Sequence, residues 1–401
     1  MVLLAGGRIV TPGGVLNPGW IRLAGSLIDA VGSGEAPQQL AVELRGQWVL
    51  PGFVDVHVHG GGGASFTGGS RAEAAKAAEF HRAHGTTTML ASLVTAPLAE
   101  LEARAGVLAG LADDGVIAGL HLEGPFLSPA RRGAQDPRYM LAPEVAVFER
   151  LRTAARGQLR VITLAPELPG AFGVIEAATR AGVTVAVGHT DATADVILAA
   201  VDAGAAHATH LFNGMRPWHH REPGAVGALL DRDEVTCEVI ADGVHLHDIA
   251  VRLAARVTGP GRLVLVSDAM AAAGMPDGSY QLGTMRVTVA GGVARLLEDP
   301  DSGRAAGSGQ AADPSQPGTA ARPGAIAGST ATLADAVRHA IAAGLPVPDV
   351  AAAASTTPAR ILGLADRTGA LRPGLAADLV VCGDDFRPRA VMRRGQWLAA
   401  P

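Results

Sequence analysis

A (β/α)8 barrel of eight parallel strands wrapped by helices, joined to a small β-sandwich assembled from both chain ends, is the fold class the sequence predicts. Three observations predict it. Eight apolar runs of strand length recur through the middle of the 401-residue chain. Alanine-rich helical stretches separate most of these runs, as βα alternation around a parallel sheet requires. The two ends hold short β segments with no helix-period stretch between them.

Taken in order, residues 1–49 read as β segments with turn punctuation: Arg8–Val10, Trp20–Leu23, Leu27–Val31 and Gln47–Leu50. The stretch 369–401 looks alike, with Asp378–Cys382 and Arg389–Trp397, so the two form the N- and C-terminal parts of one sandwich. Residues 50–368 form the barrel. Its strand-length runs fall at 50–58, 86–94, 116–122, 161–165, 183–187, 206–211, 235–241 and 262–267. They are nearly continuous in Val, Ile and Leu, which suits strands covered on both faces. Helical stretches lie at Arg71–Ala83, Ala99–Leu111, Ala171–Ala181, Thr193–Ala203 and His247–Val257. A hairpin, Tyr280–Val289 and Val293–Leu297, turns at Gly291 and Gly292. The segment Glu298–Ala325 has almost no large apolar residue and reads as a flexible insertion that cannot bury a core.

Composition sets bounds on function. Apolar residues make up 48% and charged residues 18%, enough for a sizeable core. A net charge of -5 suggests neither nucleic acid nor an anionic membrane surface as partner. Cys237 and Cys382 lie far apart in strand-like runs, so a disulfide framework is not expected and a reducing cytoplasm is. The absence of a leader pattern and of any 18-residue apolar run adds to the expectation of a soluble cytoplasmic protein.

The chemistry is expected at the C-terminal tips of the strands, where barrels of this kind build their sites. Strand 1 ends in His57 and His59, two apart and so facing one way, with glycines behind them that leave room for something to approach. Strand 3 ends in His121, Leu122, Glu123 and Gly124; strand 5 in Gly188, His189 and Thr190; strand 6 in Thr209, His210 and Leu211–Gly214. Strand 7 ends in Asp242 and His245, strand 8 in Ser267 and Asp268. A lone His-x-His is as often a hydrogen-bonded pair as a ligand pair, but polar tips on so many strands are costly for packing alone. Nitrogen and oxygen donors without thiolates suit one or two divalent cations, zinc first, with iron, manganese or cobalt as alternatives.

These motifs carry a resemblance. Pro51–Gly60, His121–Phe126, Val187–Thr190, Thr209–Met215, Arg221–Gly224, Ala241–His245 and Val266–Ala269 resemble the amidohydrolase superfamily and, within it, the N-acetylglucosamine-6-phosphate deacetylases. The match spans nearly the whole chain outside the insertion. It implies metal-dependent hydrolysis of the acetamide of N-acetylglucosamine 6-phosphate to glucosamine 6-phosphate and acetate, in amino-sugar catabolism and cell-wall recycling. It also implies that Glu123, His189 and His210 hold one metal. Superfamily members that bridge two metals with a carbamylated lysine on strand 4 are not matched, because Lys76, the sole lysine, lies in the first helical stretch. Glu123 is the candidate bridge, with His57, His59 and Asp268 completing a second position. Members lacking the strand-1 histidines carry a histidine shortly after the glutamate motif; here that place holds Gln135, which is not expected to be a ligand.

In the implied reaction Asp268 takes the proton of the attacking water and returns it to the sugar nitrogen. Phosphate recognition is assigned to Asn213, the Gly214 amide, Arg221 and His245. The resemblance further implies that Arg221 serves the neighbouring subunit's site in a homodimer, and that Ala134 and the turn Ile326, Ala327 and Gly328 line the sugar pocket. A plain surface pair with Glu222 is the other reading of Arg221. His121 is expected to support the ligands, and His84, His207, His219, His220 and His339 to be solvated or structural. Two rival readings stand beside this one. A dihydroorotase-like or deaminase-like barrel hydrolase explains the metal residues but not Asn213, Gly214 and Arg221 together. A non-catalytic scaffold would be expected to have lost metal ligands.

Overall fold

A computed structural model describes residues 2–37, 42–297 and 324–399. Eight parallel strands follow one another around a nearly closed barrel in chain order. They are Phe53–Asp55, Thr86–Val94, Gly119–Glu123, Leu159–Leu164, Thr184–Val187, Ala205–Ala208, Thr236–Val239 and Leu263–Leu265. No strand ladder joins the first to the eighth. The seam is instead bridged just beyond their tips: the Asp268 amide donates to the His57 carbonyl over 2.9 Å and the His59 amide to the Ala269 carbonyl over 2.8 Å. Ser267 Oγ adds a bond to the buried Asp55 carboxylate over 2.6 Å. Burial pushes that carboxyl up to about 7 against the bonds from Ser267 and His57.

The helices Arg71–Ala83, Leu98–Asp113, Ala171–Arg180, Ala194–Asp202 and Asp248–Thr258 lie within a residue or two of the expected stretches. Val145–Ala154, Gly224–Asp231 and Leu333–Ala342 complete the outer ring, the last opened by Thr332 and Asp335 bonding each other's backbone amides. Val56, Leu90, Val161, Ala186, Ile240, Val264 and Val266 form a separate buried cluster drawn from strands around the barrel. Phe126 belongs to the main core and is fully buried. Burying such a ring contributes about 1.5–3 kcal/mol, and here it ties down the loop leaving Glu123.

One sheet joins both chain ends. Its order is Gln396–Ala399, Pro388–Arg393, Leu379–Cys382, Trp48–Pro51, Val2–Thr11, Gly14–Ala24 and Leu27–Ser33, with Val42–Glu43 beside Val2–Thr11. Trp48–Pro51 pairs antiparallel with Leu379–Cys382 and therefore belongs to this sheet, so the first barrel strand starts at Phe53 and not at residue 50. Ile9, Ile21, Leu23, Val49, Leu379 and Val381 share its apolar core. A further small sheet, Gly278–Leu282, Met285–Ala290 and Val293–Leu296, differs from the expected hairpin by a second turn at Gly283 and Thr284. Its Leu282 and Val287 pack with Met270 and Ala327. Of the expected insertion Glu298–Ala325, residues 298–323 lie outside the described residues. Cys237 and Cys382 are free and buried, and burial pushes both thiols up to about 12. Among the described residues no helix is long and apolar enough to cross a membrane.

Candidate metal centre

Six side chains from distant stretches meet at the C-terminal mouth of the barrel. His57 Nε2 and His59 Nε2 lie 3.1 Å apart. Both approach Glu123, at 3.6 and 3.3 Å, and Asp268, at 3.5 and 3.2 Å. On the other side of Glu123, His189 Nε2 and His210 Nε2 stand 2.9 and 3.0 Å from Oε1 and 3.1 Å from each other. Two buried groups result, His57–His59–Glu123 and Glu123–His189–His210, and they share Glu123.

The outer ring nitrogens decide what the inner ones can do. His57 Nδ1 donates to Glu238 over 2.9 Å and His59 Nδ1 to the Ser92 carbonyl over 3.2 Å. His189 Nδ1 donates to the Arg131 carbonyl over 2.9 Å. With each Nδ1 spent as a donor, the neutral rings turn Nε2 lone pairs inward. His57 and His59 then face lone pair to lone pair, an arrangement that a cation between them relieves. His210 Nδ1 is buried without a partner. Ligands about 2.0–2.2 Å from one cation lie roughly 3.0–3.5 Å from one another, which is the spacing found here. The residues present therefore fit a borderline divalent cation held by imidazole and carboxylate.

A proton is the alternative to a cation at these nitrogens, and the surrounding carboxylates draw positive charge to them either way. Burial opposes protonation of His57, but the Glu238, Asp268 and Glu123 carboxylates outweigh it and hold the ring well above its usual value. His59 is lifted to about 9 against burial by Asp268 and Glu123. Burial pushes Glu123 up, yet His57 and the bonds from His189 and His210 hold it well below the carboxylate range. Asp268 is lowered in the same way, burial being overcome by His57 and His59. The cluster is built to keep anions beside positive charge.

Local backbone supports this at a cost. His189, His210 and Asp268 have φ of +47°, +28° and +46°, a left-handed region that costs a non-glycine residue about 1–3 kcal/mol each. At the strand tips this geometry turns the side chains in over the barrel mouth. Gly214, at φ +59°, packs so closely on His189 that a Cβ would fall 2.9 Å from Nδ1. The glycines after His59 do not leave room for a ligand: a Cβ on Gly60 would strike the Ala64 carbonyl at 2.4 Å, and one on Gly61 the rings of Phe80 and His81.

Three of the surrounding contacts were not legible in the sequence: Glu238, Ser92 and Thr163. Ser92 and Thr163 bond the two nitrogens of His121 at 3.0 and 2.8 Å, and burial holds that ring well below its usual value. His121 thus stands behind His57, edge-on at 4.6 Å, and not among the inward-facing donors. Gln135 accepts from the Thr95 amide through Oε1 at 2.8 Å, which turns its NH2 onto Glu123 Oε2 at 2.6 Å. A donor there steadies the carboxylate but offers no lone pair. His207 is fully buried and bonded to Glu238; His219 and His220 are exposed.

The expected anion-binding residues are more dispersed. Asn213 Nδ2 folds back onto the His210 and Leu211 carbonyls at 3.3 and 3.4 Å. Arg221 is exposed beside His220, has no carboxylate partner among the described residues, and lines a pocket of about 360 Å3 with Arg216 and Asp195. Ala134 and Ala327 pack in one apolar cluster, Ile326 pairs with Arg295, and a Cβ on Gly328 would sit 3.0 Å from the Asp268 carbonyl.

His245 Nδ1 and Ser329 Oγ both donate to Asp242 Oδ2 over 2.8 Å. Burial opposes charge on both partners, but each holds the other ionised, His245 raised and Asp242 well below its usual range. A histidine raised on folding contributes stability complete below its unfolded value of about 6.5 and lost as pH rises through the folded value. The depressed aspartate contributes above about 3.9 and loses it on acidification. Asp242→Asn is therefore expected to cost about 1 kcal/mol at pH 6 and less at alkaline pH, read from denaturant midpoints. Equal losses at both would show that the charge is not what matters.

Comparisons with known proteins give the frame for this site. Residues 48–398 match the Amidohydrolase family. The chain is similar to an N-acetylglucosamine-6-phosphate deacetylase of Bacillus subtilis, 32% identical over 96% of this chain and 94% of that protein. It is also similar to an N-acetylgalactosamine-6-phosphate deacetylase of Escherichia coli O157:H7, 34% identical over 97% of each. Among solved structures, an aspartate-to-alanine mutant of N-acetyl-D-glucosamine-6-phosphate deacetylase from Mycobacterium smegmatis, in complex with N-acetyl-D-glucosamine-6-phosphate, superposes with a TM-score of 0.91. It is 42% identical, and the match covers 100% of this chain and 99% of that one.

Proposed function

The chain belongs to the amidohydrolase family, and from that premise we propose that it hydrolyses the acetamide of N-acetylglucosamine 6-phosphate, releasing acetate and glucosamine 6-phosphate. The observation that carries this reading is the pair of buried ligand groups sharing Glu123 at the barrel mouth, in a chain whose full-length relatives are sugar-phosphate deacetylases. Glu123, His189 and His210 would hold one cation and His57, His59 and Asp268 a second, zinc before iron, manganese or cobalt; bound there, it would supply Lewis acidity and lower the pKa of water to near neutral.

The chain's own groups do the rest. Asp268 is ionised and buried beside both strand-1 histidines, so it serves as general base to the attacking water and then as general acid to the departing nitrogen. Gln135 and the histidines hold the Glu123 carboxylate in one orientation. Ala134 and the Ile326–Gly328 turn border the sugar, and Asn213, Gly214, Arg221 and His245 receive the phosphate. We assign Arg221 to the site of the neighbouring subunit in a homodimer; its exposure and its lack of an acidic partner among the described residues support that reach. The protein is placed by this reading in cytoplasmic amino-sugar breakdown and cell-wall recycling, with a barrel domain from Phe53 to about residue 368 flanked by sandwich parts from the two chain ends.

The direct test is acetate release from N-acetylglucosamine 6-phosphate before chelation, after it, and with metals added back. No release under any metal would overturn the proposal. The similarity to a galactosamine-type deacetylase makes N-acetylgalactosamine 6-phosphate the second substrate to assay. Arg221→Ala is expected to raise KM for the phosphorylated sugar about 10–100-fold, the worth of a charge-assisted hydrogen bond, with little change for unphosphorylated N-acetylglucosamine. Equal effects on both sugars would remove Arg221 from phosphate binding.

A further inference from the structure

Glu238 sits in the seventh barrel strand, wholly buried among Thr236, Cys237 and Val239. Carboxylates are rarely buried without specific partners. Its three contacts are specific. Oε2 accepts from His57 Nδ1 at 2.9 Å and from the His210 backbone amide at 2.9 Å. Oε1 takes a bond from His207 Nε2 at 2.9 Å. A single carboxylate oxygen therefore touches one residue from each of the two ligand groups, while belonging to neither group.

We propose that Glu238 is a positioning residue that ties the two metal positions together and decides whether the His57–His59 position fills. This rests on the metal-dependent reading of the same centre. The two contacts are unlike in kind. At His57 the bond is to the ring, so it selects the tautomer with Nε2 free to ligate, fixes the ring plane and raises the ligand's basicity. At His210 the bond is to the main chain of a residue at φ +28°; it steadies the turn and leaves the ring nitrogens untouched. Glu123 and His189 have no contact with Glu238 among the described hydrogen bonds and ion pairs. Losing the Glu238 charge should thus weaken the His57–His59 position selectively and the other little. Partners of ligating histidines typically govern metal affinity by 10–100-fold.

The test uses the full-length protein stripped of metal and titrated with zinc against a chelating dye, with bound zinc counted by elemental analysis. Wild type is expected to bind two ions. Glu238→Gln, which keeps shape and loses charge, is expected to bind one at near wild-type affinity and the second 10–100-fold more weakly. In the background of His57→Asn the same change should have no further effect on that position. Wild type binding no zinc would sink the metal-dependent reading itself. Wild type binding two ions and Glu238→Gln binding two with unaltered affinities would overturn this inference alone. If Glu238→Gln fails to fold, Glu238→Asp keeps the charge but shortens the reach by one methylene, and the same selective loss is expected. Variants that stay unfolded with and without zinc would make Glu238 a plain structural group and equally overturn the proposal.

Discussion

Asp268→Asn is expected to lower kcat by about 10^2–10^4-fold, the usual worth of a positioned acid–base group, while the protein folds and loads metal. Two facts set this expectation. The variant keeps side-chain size and an amide oxygen that can still ligate, and His57, His59 and Glu123 keep their mutual spacing without the Asp268 carboxylate. What asparagine cannot do is accept the proton of the attacking water or hand it to the leaving nitrogen. The needed measurements are acetate release, bound metal per chain, and thermal unfolding, on one preparation. A variant that retains wild-type turnover would remove Asp268 from the proton path. One that loses turnover only in step with its metal would show Asp268 to be a ligand and nothing more.

Glu123→Gln is expected to act earlier and more completely. Its two oxygens face four imidazoles between 2.9 and 3.6 Å, and it is the member common to both groups. Neutralising it removes the anion that offsets charge at both positions and sets an amide where Gln135 already aims its own NH2. Bound metal should fall towards zero at micromolar zinc, and kcat/KM by about 10^3-fold or more, since the Lewis acid is lost with it. Chelated wild type should match the variant in activity but regain it when metal returns. Retention of two ions by Glu123→Gln would show that the bridge lies elsewhere.

Both effects concern residues whose spacing was visible in the chain. His57 and His59 stood out because they interrupt an apolar run at a two-residue interval, and Glu123 because it ends another such run before Gly124 and Pro125. Side chains at strand tips project to one mouth whatever the detailed register, which is why those positions could be read early. Partners reached across strands could not. Glu238 lies inside a run that reads as apolar, and its role depends on which ring nitrogen of His57 it meets two neighbours away. Ser92 and Thr163 became meaningful only once His121 was found between them. The glycines behind His59 misled for the opposite reason: the space they leave is filled by the Ala64 carbonyl at Gly60 and by Phe80 and His81 of the first helix at Gly61. Trp48–Pro51 merged with the first barrel strand because both are apolar, and only pairing separates them.

That pairing bears on how the chain is made. Trp48–Pro51 leaves the ribosome with one side matched by Val2–Thr11 and the other bare, and its second neighbour, Leu379–Cys382, is translated roughly 330 residues later. At roughly 5–20 residues per second this delay is on the order of half a minute. Throughout it the nascent protein carries a sticky, half-finished margin beside an emerging barrel. Slow translation or a premature stop between these segments should direct the product to chaperones or aggregates, even with every ligand of the metal centre already synthesised.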